Sequence, residues 1–150
     1  MTDLNTIRIR AATPADSEFA YMVKEAAFRV YVEHIKTWDE ADQRRQHLRR
    51  FAEQEFHVIE RGLARIGVVA MVVHDNHVKL NQLMIHPDHQ DAGVGAQCLR
   101  WILDRAHGLG LPVRLQCMKV NPRSVAFYER HGFRIVDEGE THYTMLSTCG

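Results

Sequence analysis

The chain has 150 residues, a length that suits one domain with a real core. Hydrophobic residues make up 45% and charged residues 25%, the composition of an ordinary globular protein. Lys+Arg and Asp+Glu number 19 each, so no net field draws in nucleic acid or an acidic membrane, and neither is expected as a partner.

Ile7–Arg10 alternates apolar and polar residues, the pattern of a half-buried first strand. Thr13-Pro14 opens a helix, with Thr at the cap, Pro in the first turn and Asp16 three residues after the cap. Its apolar face is expected at Phe19, Met22, Val23, Ala26, Ala27 and Val30. The pattern breaks over Tyr31–Lys36. Thr37 with Glu40 three residues on reads as a capping box, which predicts a second helix over Trp38–Phe51. Its acids stand at the start and Arg44, Arg45, Arg49 and Arg50 toward the end, matching the helix dipole. Those arginines read as a solvated face and not a nucleic-acid patch, because the acids balance them.

Strands are expected at Phe56–Arg61, Ala64–His74 and His77–Ile85, joined by turns at Gly62 and Asp75-Asn76. Three strands on short turns make an antiparallel meander. The longest apolar run, Ile66–Val73, is too short to span a bilayer. After a glycine-bearing loop, Cys98, Leu99, Ile102, Leu103 and Ala106 mark the buried face of a helix that stops at Gly108, Gly110 and Pro112. Val113–Met118 follows as a strand. Reached through a helix, it should run parallel to Val78–Ile85. Asn121-Pro122 caps a last helix that Gly132 ends, and Phe133–Asp137 with Thr141–Leu146 form a hairpin around Glu138-Gly139. The order β-α-α-β-β-β-α-β-α-β-β predicts an α+β fold: a mixed, mostly antiparallel central sheet flanked by helices, in a single domain over residues 1–150.

Cys98, Cys117 and Cys149 are odd in number and too far apart for a Cys-x-x-Cys motif. With no signal peptide in Met1–Phe19, a reducing cytoplasm is expected. His86-Pro87-Asp88-His89 sits in a turn without a helical His pair, so it reads as a solvated loop and no metal is expected.

The stretch Gln90–Ala96, reading Gln-Asp-Ala-Gly-Val-Gly-Ala, carries the chemistry. It lies between a strand and a helix start, where unpaired N–H groups and the dipole favour an anion such as phosphate. No Gly-Lys-Ser/Thr follows, so it is not a P-loop. It also lacks the third glycine and the early βαβ unit of a dinucleotide fold. The spacing Gln90-x-x-Gly93-x-Gly95 resembles motif A of the GCN5-related N-acetyltransferases (GNAT), whose loop holds the pyrophosphate of acetyl-CoA. Asn121-Pro122-Arg123-Ser124-Val125-Ala126-Phe127-Tyr128, followed by Gly132-Phe133, resembles a later motif of the same family. The resemblance covers about residues 7–146, with its specific part in residues 80–133.

The resemblance implies an N-acetyltransferase that moves an acetyl group from acetyl-CoA, its cosubstrate, to a primary amine of a small molecule or peptide by direct attack in a ternary complex. It implies that the two parallel strands splay around the pantetheine arm. Acetyl-CoA contacts then fall on Leu83, Met84 and Ile85, on Gln90, Asp91, Ala92, Gly93, Val94, Gly95 and Ala96, and on Asn121. Tyr128 is the acid for the leaving thiolate by resemblance, against its plainer reading as a packed aromatic; Asn121 equally suits a helix cap. Asp91 departs from the pattern, since a carboxylate is unfavourable beside pyrophosphate. So do Gln82 and Gln116, which stand where relatives often carry a glutamate base and which cannot take up a proton. Glu33, His34, His86 and His142 are candidate bases, none of them assigned. That gap leaves a second function class open, an acyl-CoA-binding regulatory module on the same fold. The acceptor should enter beside Tyr31–Glu40 and Asp137–Tyr143, where Tyr31, Glu33, Trp38 and Glu138 would suit a cationic amine. Oligomeric state, a homodimer included, is left open.

Overall fold

The computed structural model describes residues 6–90 and 93–147. Seven strands form one sheet: β1 (Ile7–Ala11), β2 (Glu55–Arg61), β3 (Ala64–Val73), β4 (Val78–Ile85), β5 (Val113–Met118), β6 (Phe133–Glu138) and β7 (His142–Ser147). The helices are α1 (Ser17–Val32), α2 (Glu40–Glu53), α3 (Val94–Gly108) and α4 (Pro122–Arg130). The strand order is β1-β2-β3-β4-β5-β7-β6, antiparallel throughout except for β4 beside β5. This is the α+β fold that the element order predicts.

Both faces of the sheet are covered, so its central strands bury alternate residues on opposite sides. Phe56, Val68, Ala70 and Met84 pack with Ala20 and Val23 of α1. Ile59, Val69, Met71, Leu80 and Leu115 pack on the other face with Leu99 and Ile102 of α3. Truncating a fully buried side chain such as Leu99 to Ala should cost about 2–5 kcal/mol.

The first two helices differ in detail from expectation. The Thr13 N–H donates to the Asp16 carboxylate at 2.8 Å, as the cap reading requires. Within α1, however, the buried residues are Ala20, Tyr21, Val23, Lys24 and Ala27, while Met22 and Val30 are more than half exposed. The buried stripe runs at i, i+3, i+4 and i+7 from Ala20 and includes a lysine. α2 starts two residues later than predicted, at Glu40. Asp39 takes the cap by accepting the Asp42 N–H, and Trp38 instead tucks its ring against Tyr21.

The parallel pair opens partway along. β4 and β5 are paired only at Val78↔Val113, Lys79↔Arg114 and Leu80↔Leu115. Past that point β4 stays with β3 as far as Ile85↔Gly67, and β5 stays with β7 as far as Met118↔His142. A bulge marks the parting: Ala70 faces Gln82 and Met71 faces Leu80, which leaves Asn81 as the extra residue. Each strand follows its other neighbour, and the gap between them lies at the centre of the molecule.

Candidate active site

Two cavities, each about 640 Å³, meet at the gap between β4 and β5. Phe28, Leu83, Asn121, Ser124 and Tyr128 line both. One opens toward the start of α3 and the outer face of α4. The other opens toward α1, α2 and the start of β7.

The first cavity gathers a helix N-terminus and basic side chains. Gly93 caps α3 in the left-handed region, with φ 75°, a conformation that glycine adopts without strain. The N–H groups of Val94, Gly95 and Ala96 open the helix and so lack intrahelical carbonyl partners. Arg123, Arg130 and His131 line the same cavity from α4 and its end. Gln90 folds back, its amide donating to the Ile85 carbonyl at 2.7 Å, which ties the loop to the end of β4. Gly95 has an ordinary helical φ, and a Cβ there would meet Phe127 Cζ at 3.4 Å, a normal contact. The protein itself therefore does not demand glycine at position 95. Asp91 and Ala92 lie outside the described residues.

At the junction, the Tyr128 hydroxyl has no hydrogen-bond partner among the described residues. Its ring is held edge-on by Phe127 and Phe133, with centroids 5.2 and 5.4 Å away. Burial, reinforced by nearby Cys117, pushes the phenol above its usual range, so it stays protonated at neutral pH. The Cys117 thiol is itself pushed up to about 11 by burial and remains neutral. Asn121 is buried and caps α4, its side chain accepting the Ser124 N–H at 3.3 Å.

The second cavity is amide-rich and basic. Gln43, Gln46, Gln54, Gln82 and Gln116 line it, with Lys24, Lys36, Arg50 and Lys79, and no Asp or Glu does so among the described residues. His142 also faces it, its Nδ1 2.7 Å from Thr141 Oγ1.

Most residues singled out in the sequence come together here. Ile85, Gln90, Gly93, Val94, Gly95 and Ala96 line the first cavity, Met84 the second, and Leu83, Asn121 and Tyr128 both. The expected acceptor set does not converge. Tyr31 lines the first cavity and not the second. Glu33 is exposed and pairs with Arg29 at 3.5 Å; Glu138 pairs with Lys119 at 2.6 Å; Trp38 is buried between α1 and α2. None of these three reaches either cavity. Of the candidate bases, only His142 lines the second one. Sequence reasoning passed over Lys24, although a lysine on a buried helical stripe is a signal that could have been read, and it took Arg50 for part of a solvated face, whereas Arg50 is half-buried and lines the cavity.

The sequence of residues 20–133 matches the model of the acetyltransferase (GNAT) family. No curated protein matches the chain in sequence. The fold is shared with a PaiA N-acetyltransferase from Thermoplasma acidophilum in complex with coenzyme A, at 18% identity and a TM-score of 0.81, over 95% of this chain and 98% of that one. An acetyltransferase from Thermus thermophilus aligns at 21% identity and a TM-score of 0.77, over 97% of both chains. A ribosomal-protein-alanine N-acetyltransferase from Escherichia coli aligns at 17% identity and a TM-score of 0.73, again over 97% of both.

Proposed function

The chain belongs to the acetyltransferase (GNAT) family, and from that premise we propose that it transfers an acetyl group from acetyl-CoA to a primary amine within a ternary complex. The observation that carries this reading is the junction: one unbonded, protonated phenol stands where an anion-binding cavity meets an acceptor-sized one across an opened strand edge. The coenzyme A held by the Thermoplasma relative supports the choice of cosubstrate. The residues present fit that cosubstrate. The α3 N-terminus with Arg123 and Arg130 would hold its phosphates. The edge of β4 past Leu80, unpaired toward β5, would meet the pantetheine amides.

Acetyl-CoA supplies the activated thioester; the chain orients it and moves the protons. Backbone N–H groups near Leu83–Ile85 would stabilise negative charge that develops on the carbonyl oxygen. Tyr128 donates a proton to the departing sulfur. A phenol is a weaker acid than a thiol of pKa near 8.5, so the transfer is uphill by ordinary values and goes only to a fully formed thiolate, whose own proton affinity the same burial raises as it does that of Cys117. The amine enters from the α1–α2 side. No carboxylate lines that cavity among the described residues, so the amine arrives neutral or gives its proton to water or His142. That same lack of a carboxylate supports a second reading, a regulatory module that binds acyl-CoA without turning it over. Free thiol released from acetyl-CoA on adding an amine panel decides between them: release supports the enzyme, and tight binding without release supports the module.

A further inference from the structure

We infer that the acceptor-side cavity grips its substrate by an anionic group, so that the acceptor is an amine that also carries a carboxylate or phosphate, seated against Lys24 and Arg50. This rests on the N-acetyltransferase reading above and reverses the cationic acceptor that the sequence suggested.

The charges of the cavity carry the argument. Lys24 is 7% exposed, lines the cavity, and has neither a hydrogen bond nor an ion pair among the described residues. Arg50 lines it too, and its one side-chain partner is the neutral Gln46, at 3.4 Å. Several other arginines are matched to carboxylates: Arg10 to Asp16, Arg29 to Glu25, Arg44 to Glu18, Arg105 to Glu55. Two desolvated cations without a counter-ion are a costly arrangement for a fold to keep. Burial lowers the affinity of both for protons. The groups that act on Lys24 are Arg50 and Lys36, which add to the cost, and Asp42, which offsets part of it. Asp42 does not line the cavity and is occupied by Gln46, whose amide donates to it at 2.7 Å. Lys36 and Lys79 extend the positive wall. An anion bound here would supply the missing partner. Tyr128 lines the same cavity, so such an acceptor would have its amine directed to the junction.

The test uses matched pairs at saturating acetyl-CoA: an ω-amino acid against its methyl ester, and phosphoethanolamine against ethanolamine. One acid should exceed its counterpart lacking the anionic group in kcat/KM by roughly 10- to 100-fold, mainly through KM, the worth of a charge-assisted hydrogen bond. Which pair shows it separates carboxylate from phosphate. The advantage should vanish in Lys24→Met and in Arg50→Gln and largely survive in Lys24→Arg. A second readout needs no turnover: succinate or inorganic phosphate, with CoA saturating, should raise the Tm of the wild type but not of Lys24→Met. Neutral or cationic amines that react as well as the acids overturn the inference. So does a Lys24→Met variant that loses kcat equally on every amine, which would make Lys24 a proton-transfer group. If no amine reacts while the anion stabilisation appears and is lost in Lys24→Met, the transferase reading fails and the anion site stands.

Discussion

Lys24 destabilises the fold it belongs to. Its ammonium sits on the buried stripe of α1, where burial lowers its pKa from 10.5 to about 8. Below pH 8 it is charged in both the folded and the unfolded chain, and the full desolvation cost is present. Between about pH 8 and 10.5 the folded chain gives up the proton while the unfolded chain keeps it, so stability rises with pH. The total is on the order of 3 kcal/mol. Lys24→Met should therefore be more stable than wild type at pH 7, and the gap should close toward pH 10. Chemical denaturation at the two pH values measures it, and an unchanged gap would show that the lysine is not desolvated. Tyr128 makes the opposite kind of prediction, in rate and not in stability. Tyr128→Phe keeps the ring packed against Phe127 and Phe133 and removes only the proton donor. Turnover should fall by about 10- to 10⁴-fold, with acetyl-CoA affinity little changed. Wild-type turnover with chemistry rate-limiting would leave Tyr128 as a packing residue.

Among the elements, β4 decides where the cleft lies, and two glycines bracket it with different duties. At Gly67, opposite Ile85 on β3, a Cβ would stand 2.5 Å from the Met84 carbonyl oxygen and 3.2 Å from Ile85 Cα. Those are backbone atoms, so β4 itself must move. Gly67→Ala should cost about 1–3 kcal/mol and weaken acetyl-CoA binding as well, by displacing the strand edge. Gly95→Asp meets no such obstacle, because a Cβ there contacts only Phe127 and Ile85 side chains at ordinary distances. It should keep the Tm of the free protein and lose the stabilisation by acetyl-CoA, since it sets a carboxylate at the helix N-terminus. Thermal-shift titration of both variants checks the pair; equal ligand stabilisation of Gly95→Asp and wild type would remove the loop from the site. The difference shows what a sequence can carry. The Gly93 and Gly95 spacing, the Asn121 cap and the order of elements along the chain were legible, because turns, caps and alternation are local. The duty of Gly67 was not, since it depends on Met84 and Ile85, residues of the next strand brought opposite it by register. Nor was the stripe of α1, because a lysine reads as a solvent residue and Met22 and Val30 read as core. The bulge at Asn81 arises from pairing, and nothing in its own side chain announces it.

For the whole molecule, zero net charge conceals an uneven distribution. Acids are spent away from the cavities: Glu60 on Arg8 and Arg10, the buried Asp16 on Arg10 and Arg65, Glu18 on Arg44, Glu55 on Arg105, Glu138 on Lys119. Most of these pairs are exposed and contribute little stability each. Their larger consequence is electrostatic, because they neutralise the outside and leave the two cavities positive, one with Arg123 and Arg130, the other with Lys24, Lys36, Arg50 and Lys79. A neutral exterior gives no long-range steering, so attraction acts only near the mouths, within roughly a Debye length of about 8 Å at physiological salt. Rising salt should then weaken both substrates through KM and leave kcat nearly unchanged. With acetyl-CoA held saturating, the remaining salt dependence belongs to the acceptor side. For an anionic amine, kcat/KM should drop several-fold between about 0.05 and 0.5 M salt, and for a cationic amine it should hold or rise, because screening relieves repulsion from the same lysines. A fall for the cationic amine and none for the anionic one would mean that acceptors approach by another face, one lined by carboxylates such as Glu33.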